Sequence, residues 1–259
     1  TSVEKVHSIT QITPFFLEAI LNIVNKEKDL AANVGNIETL ISAKKMGFSD
    51  AYIARLWKMS ELDVFAIRRE KNIFPVYRMV DTCHTNAYIP YFYSSYTGEN
   101  ASRLSDKKRI IVLGAGPIKI GQSLEFDYSA LQVCRALKEE GITVIFANST
   151  PSALATDKTY ADRVYIEPLN IESVKRILEK EKPDVVLVHG DTSTTFVTAL
   201  ACFYMQIPVG HVEAGLRTYD ISSPYPEEFN REAVSIISSY NFAPTIKAKE
   251  NLINEGKKE

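Results

Sequence analysis

The sequence predicts an α/β architecture: an N-terminal all-helical domain, then a doubly wound, Rossmann-like parallel sheet of about six strands. Three observations carry this. Residues 1–75 hold a series of helix start and stop signals, and residues 76–107 form an extended, aromatic connector interrupted by prolines. Over residues 108–259 short β-branched runs alternate with amphipathic helices, the pattern of βαβ units.

In the helical part, Thr13 and Pro14 form an N-cap and first-turn pair. Phe16, Leu17, Ile20, Leu21 and Val24 then recur at helical spacing, which predicts a helix of about four turns. A weaker helix covers Ile37 to Lys45 and ends at Gly47, and another opens at Ser49. A further helix opens at Ser60, where Asp63 resembles a capping box. Between Asn72 and Ser105, IFPVYRMVDTC and YIPYFYSSYTGEN cannot be continuous helix because of their prolines, and they read as an ordered strap. Without interleaved basic residues the aromatic run is not a base-stacking platform, so packing against a domain face is expected. The strands expected next are RIIVLG, TVIFAN, RVYIE, DVVLVHG, PVGHVEA and NFAP. The helices between them are Leu124 to Glu139, Ile171 to Lys180, Thr194 to Tyr204, Glu227 to Ser239 and Thr245 to Asn254.

Composition narrows the function classes. At 259 residues with 45% hydrophobic content the chain can bury a sizeable core. Its 30 basic and 32 acidic residues balance, so it lacks the electrostatic footprint that nucleic acid or an anionic membrane surface requires. No stretch approaches the roughly 20 continuous apolar residues of a membrane span, and the start lacks the order of a signal peptide, so cytoplasm is the expected compartment. Cys83, Cys134 and Cys202 are spaced neither for metal nor for a disulfide framework, and inert thiols are expected. The chain opens on Thr1 and reads as a piece or a splice.

RIIVLG runs into Gly114, Gly116 and Gly121, a GxGxxxxG loop. Glycines at such a turn allow positive φ and let a phosphate approach the positive end of the following helix. The spacing is not GxGxxG, and the next strand ends in Asn148 with no acid to hold a ribose hydroxyl, which argues against NAD. With its neighbours the loop is more specific. GAGPIKIGQSLEFDYSALQVCRALKEEG and ANSTPSALATDKTYADRVYIEPL resemble the domain that precedes ATP-grasp in the carbamoyl-phosphate synthase large subunit. VEKVHSITQITPFFL, GFSDAYIARLWKMSELDVFAIR and PVYRMVDTC with PYFYSSY resemble that subunit's helical oligomerisation domain and connector, so the likeness covers residues 1 to 182. The resemblance implies self-association through the helical domain and ATP with magnesium as the parent's cofactors. It departs from that family after Cys83, where the connector lacks several residues, and at Thr150, where the family has Asn. The ATP-grasp domain itself does not follow, and the loop's structural role is expected to outweigh a binding one.

After Pro183 the likeness changes. Asp191 and Glu213 each stand just beyond the carboxyl end of an expected strand, where open α/β sheets bind ligands, and Glu227 sits at the mouth of the following helix. Three carboxylates at one sheet edge can divide acid and base duties. On the residues alone, Glu227 and Glu228 could simply favour a helix N-terminus and Asp191 could cap its helix. The run DVVLVHGDTSTTFVTALACFYMQIPVGHVEAGLRTYDISSPYPEEFNREAVSIISSYNFAPT, however, resembles non-hydrolysing UDP-N-acetylglucosamine 2-epimerase over residues 183–259. That resemblance implies Asp191, Glu213 and Glu227 as catalytic acids, at the family's separations of 22 and 14 residues, and a UDP-sugar as ligand. It further implies removal of the sugar's H2, loss of UDP to give a glycal, and re-addition of UDP with inverted C2. The family also uses an arginine-bearing loop after its first strand and a second domain that supplies a histidine and most UDP contacts. Arg217, in GLRT, is the expected contact for an anionic ligand. His189 and His211 have no second ligand spaced for zinc and read as core or edge histidines, so no metal is expected.

The function expected is therefore an incomplete carbamoyl-phosphate synthase large-subunit fragment, of pyrimidine and arginine precursor synthesis, fused to an epimerase segment and without turnover alone. The alternatives are a UDP-N-acetylglucosamine 2-epimerase lacking its second domain, and a non-catalytic nucleotide-binding or assembly module. The two likenesses meet between Lys182 and Val186, between the third helix and fourth strand of one sheet. Strand order and right-handed crossovers can survive an exchange at that point.

Overall fold

The structure, a computed structural model, describes residues 2–80, 88–104, 106–116 and 127–258. Cys83, Gly121 and the Leu124 start of the first expected α/β helix lie outside the described residues. The chain divides into two compact units: Thr1–Tyr77 with Ser94–Asn100, and Arg78–Tyr93 with Ala101–Glu259.

Local capping chemistry sets the helices of the first unit: α1 (Val3–Thr10), α2 (Pro14–Ala32), α3 (Ile37–Lys45), α4 (Asp50–Trp57) and α5 (Glu61–Glu70). Ser2, Asn36, Ser49 and Ser60 each accept from an N–H in the first turn that follows them. At Ser60 the capping box is complete, because Asp63 accepts the Ser60 N–H at 2.9 Å in return. Helix α2 starts on Pro14 as expected and runs 19 residues, longer than the apolar spacing implies. Leu30, Leu40, Ile53, Trp57 and Val64 form the core, and Trp57 Nε1 donates to the Leu30 carbonyl at 2.8 Å. Buried Asp50 lies between Lys44 Nζ at 2.7 Å and Arg68 Nε at 2.8 Å, partners without which a carboxylate could not stay inside.

The second unit is built on an eight-stranded sheet. Its strands are β1 (Val76–Met79), β2 (Tyr91–Ser95), β3 (Arg109–Leu113), β4 (Thr143–Asn148), β5 (Arg163–Ile166), β6 (Val185–His189), β7 (Val209–Val212) and β8 (Tyr240–Phe242). Its helices are α6 (Tyr128–Glu139), α7 (Ile171–Glu181), α8 (Ser193–Tyr204), α9 (Glu227–Ile237) and α10 (Ile246–Asn254). The order is β1-β2-β5-β4-β3-β6-β7-β8, and the pairings from β2 through β8 are parallel. Six strands match those read in the sequence; the other two come from the expected strap. Pro75 and Pro90 stand just before β1 and β2, where a missing N–H costs no ladder bond. Phe92 in β2 pairs with Tyr165 in β5 and is fully buried, its ring centroid 5.4 Å from that of Tyr165. The strap thus extends the sheet edge instead of lying on a face.

Strand β3 is central, with β4 and β5 on one side and β6 to β8 on the other, so the topological switch point lies between β3 and β6. The junction suggested by the sequence falls on the crossover that enters β6. Across this seam Ile110, Ile111 and Val112 pair with Val185, Val186 and Leu187. Asp184 closes it from below: its N–H donates to Arg109 O at 2.9 Å and its carboxylate accepts the Arg109 N–H at 2.8 Å. Leu187 packs with Val112, Val144, Phe146 and Val164 in one core, each such burial contributing roughly 1.5–3 kcal/mol. Cys134 and Cys202 are free and buried, and burial pushes both thiols up to about 12, which leaves them inert. Beyond β7, Gly215 has φ +87°, and a Cβ there would lie 2.2 Å from the Ala248 carbonyl oxygen, so only glycine lets α10 approach this turn.

Candidate functional site

The C-terminal edges of β6 and β7 are in register, His189 opposite Val212, so the residues just beyond them emerge together. Gly190, at φ +72°, turns the chain out of β6 and donates its N–H to Val212 O at 3.0 Å. Asp191 follows. Thr192, not Asp191, caps α8, accepting the Thr195 N–H at 3.3 Å, so the capping role considered for Asp191 is already filled. Glu213 leaves β7 at φ +70°, a conformation that costs a non-glycine residue about 1 kcal/mol or more and clusters at functional sites. A Cβ on Gly190 would stand 3.5 Å from Glu213 Oε2, and His189 Nε2 is 3.4 Å from the same oxygen.

Glu227 is the first residue of α9, half-buried, where a carboxylate also suits the positive end of the helix. The neighbouring acid has a different task. Glu228 is fully buried, and its Oε1 accepts the N–H groups of Thr218 at 2.7 Å and Tyr219 at 2.9 Å. Burial alone would raise this carboxyl, but the Tyr219 and Thr218 N–H groups and Arg231 outweigh it and hold Glu228 below the usual carboxylate range. Of the paired acids, one therefore anchors a loop and the other has no hydrogen bond among the described residues.

Arg231, one helical turn after Glu227, binds Asp191 Oδ2 through Nε at 2.9 Å and Nη2 at 2.6 Å, and reaches Glu228 Oε2 through Nη1 at 3.2 Å. Asn230 Nδ2 donates to the Asp191 carbonyl at 2.8 Å. Asp191 is thus tied to the helix that begins with Glu227, while Glu213 follows the adjacent, in-register strand. Sequence reasoning passed over Arg231 and Asn230. The available signal was their spacing in EEFNR, which places both on the first turns of the helix bearing Glu227.

The glycine loop opens at the switch point, next to the same edge. A Cβ at Gly114 would lie 2.7 Å from the Asn148 side chain. Asn148, which offers no acid for a ribose, braces the loop instead: its Oδ1 accepts the N–H groups of Gly116 at 3.2 Å and Ser149 at 2.8 Å. Thr150 Oγ1 donates to Gly116 O at 3.3 Å. Gly116, at φ +93°, has its Cβ direction 3.9 Å from Thr194 Oγ1 at the start of α8, so this loop and that helix N-terminus are neighbours, a setting that favours an anion. Gly121 lies outside the described residues.

Arg217, expected to meet an anionic ligand, has a fully buried side chain clasped by Glu255, Nε to Oε1 at 2.7 Å and Nη2 to Oε2 at 2.8 Å. It also donates to Ser235 Oγ at 2.9 Å and Leu216 O at 2.8 Å. The guanidinium is spent on an internal carboxylate, fixing the turn after β7 to the end of α10. His211 is a core histidine: it is fully buried and its Nε2 lies 2.8 Å from Gly190 O. Among the described residues no group of three or more His, Cys, Asp or Glu side chains is arranged to hold a metal ion, and no helix is long and apolar enough to cross a membrane.

Comparison with known proteins resolves two segments. Residues 149–259 match the family model for UDP-N-acetylglucosamine 2-epimerase, and residues 1–72 match that for the carbamoyl-phosphate synthetase large chain, oligomerisation domain. The two models match separate, non-overlapping segments of one chain. The epimerase match extends upstream of the change read at Pro183, to Ser149. Among solved structures, a putative UDP-N-acetylglucosamine 2-epimerase from Listeria monocytogenes is 32% identical over 60% of this chain and 43% of its own, with TM-score 0.47. The Neisseria meningitidis UDP-GlcNAc 2-epimerase bound to UDP-GlcNAc is 35% identical over 58% of this chain and 43% of its own, with TM-score 0.46. The Methanocaldococcus jannaschii UDP-GlcNAc 2-epimerase is 34% identical over 58% and 43%, also with TM-score 0.46. The chain spans less than half the length of each of these proteins.

Proposed function

We propose that the α/β unit carries the acid–base residues of a UDP-N-acetylglucosamine 2-epimerase site, Asp191, Glu213 and Glu227, and binds a UDP-sugar without completing epimerisation on its own. The observation that supports this is the register of β6 and β7, which delivers Asp191 and Glu213 side by side, with α9 tied to Asp191 by Arg231. In such a reaction one carboxylate takes the C2 proton as the bond from C1 to the departing UDP breaks. Re-addition of UDP at C1 and of a proton on the opposite face of C2 then inverts that centre. The reading of no turnover rests on the sequence: residues 114–126, GAGPIKIGQSLEF, contain no arginine, whereas the resemblance implies one after the family's first strand. Proton NMR of the 259-residue chain with UDP-GlcNAc in D2O tests both parts. Saturation transfer to the nucleotide sugar without formation of the C2 epimer is expected; accumulation of the epimer would reject the claim of no turnover.

A second reading concerns the first unit, which we propose self-associates. The match of residues 1–72 to an oligomerisation domain supports it, as do the exposed apolar side chains Phe15, Phe16, Ile20 and Ile23 on α2. The synthase ancestry supplies a reason for assembly and none for catalysis.

A further inference from the structure

We propose that Arg231 is a positioning residue of this site: it fixes Asp191 by one carboxylate oxygen, leaves the other for the substrate, and couples that carboxylate to the loop between β7 and α9. The inference rests on the reading of Asp191 and Glu227 as acid–base groups. Both contacts to Asp191 converge on Oδ2, Nε at 2.9 Å and Nη2 at 2.6 Å, while Oδ1 makes no hydrogen bond among the described residues. The third nitrogen, Nη1, holds Glu228 Oε2 at 3.2 Å. Glu228 in turn receives the Thr218 and Tyr219 N–H groups on Oε1, so one guanidinium links a strand-end carboxylate to the backbone of a loop.

Arginine suits this task because its planar fork offers two edges at a fixed angle, whereas an ammonium is a point charge that cannot match both carboxylates at once. The side chains concerned are shielded, Arg231 16% exposed, Asp191 26% and Glu228 0%, so solvent does little to replace these bonds. Asn230 adds a second tie, its Nδ2 donating to the Asp191 carbonyl at 2.8 Å. Glu227 lies four residues before Arg231, on the same face of α9, and so the group that aims Asp191 sits one turn from the second acid. Movement of Arg231, which holds Asp191 directly and Glu227 only through the helix, changes the spacing of the two acids.

The test uses the full chain as wild type, Arg231→Gln and Arg231→Lys, read by amide hydrogen exchange and by the carboxyl carbon signal of Asp191. In Arg231→Gln the Thr218 and Tyr219 amides are expected to exchange roughly tenfold faster, the loss of about one charge-assisted bond, while the Gly190 amide, held by Val212, keeps its rate. Its Asp191 signal shifts. Arg231→Lys retains the charge and is expected to restore the Asp191 signal more fully than the loop's protection. Equal acceleration at Gly190, Thr218 and Tyr219 would mark a merely structural residue and overturn the proposal, as would unchanged rates and signal in both variants. None of these readouts needs a ligand. A wild-type chain that ignores UDP-GlcNAc therefore sinks the epimerase reading and leaves the role of Arg231 to be decided by exchange. A wild-type chain that binds it, beside an Arg231→Gln chain with unaltered loop and Asp191 signal, sinks the positioning role alone.

Discussion

At the scale of single residues, the two histidines near the acids behave differently because of where the strand register leaves them. His189 ends β6 with its Nε2 beside Glu213, whereas His211, one residue earlier in the register of β7, is enclosed. Burial pushes the His211 imidazole down to about 4; the hydrogen bond to Gly190 opposes this without overcoming it. The unfolded imidazole takes up its proton near 6.5, so between these values the unfolded chain binds the extra proton. Stability from this group is fully present above about 6.5 and is lost as pH falls toward 4, a contribution on the order of 3 kcal/mol. His211→Gln can still donate to Gly190 O but cannot titrate. Urea unfolding of the variant should show a flatter dependence across that window than wild type; parallel curves would contradict the assignment.

At the scale of elements, the exposed face of α2 makes a prediction of its own. Phe16, Ile20 and Ile23 recur on one side of the helix at 59%, 56% and 49% exposure, and Phe15 beside them at 71%. Phe16→Glu with Ile20→Glu should weaken self-association by on the order of tenfold or more, as light scattering would read, if this face is the interface. A wild-type chain that stays monomeric at high concentration would contradict it. Elements were legible in the sequence where their signal is local. Ser49, Ser60 with Asp63, and Pro14 announce helices because a cap is a contact within one turn. The six strands of the alternating region are legible because buried parallel strands read as β-branched runs. The strands β1 and β2 were not, since YFYSS becomes a strand only by meeting β5, some seventy residues later, and no short-range pattern encodes that pairing. The same limit explains the site. Asp191, Glu213 and Glu227 are marked by position at strand and helix ends, whereas the fate of Arg217 depends on Glu255, a partner 38 residues away.

At the scale of the whole molecule, the point between Lys182 and Val186 where the sequence likeness changes lies at the switch point of the sheet, while the epimerase family match begins upstream of it, at Ser149. Strands β3 to β5 lie on one side of the switch point and β6 to β8 on the other, so the contacts that must match across it are chiefly the β3–β6 ladder and the core around Leu187. Misfit there would cost about 1–3 kcal/mol per poorly packed side chain, which a marginally stable domain feels at once. Two units with separate cores should unfold in two cooperative transitions. The single tryptophan, Trp57, belongs to the first unit, so its fluorescence should report one transition and circular dichroism both. A non-cooperative loss of the α/β signal would contradict a native-like seam. The proposed function requires this sheet to present Asp191, Glu213 and Glu227 to a UDP-sugar. Isothermal titration of the wild-type chain and of an Asp191→Asn, Glu213→Gln double variant with UDP-GlcNAc tests it most directly. Saturable binding by the wild type that weakens in the variant is the predicted result; no binding by a wild-type chain whose α/β unit is folded would contradict it.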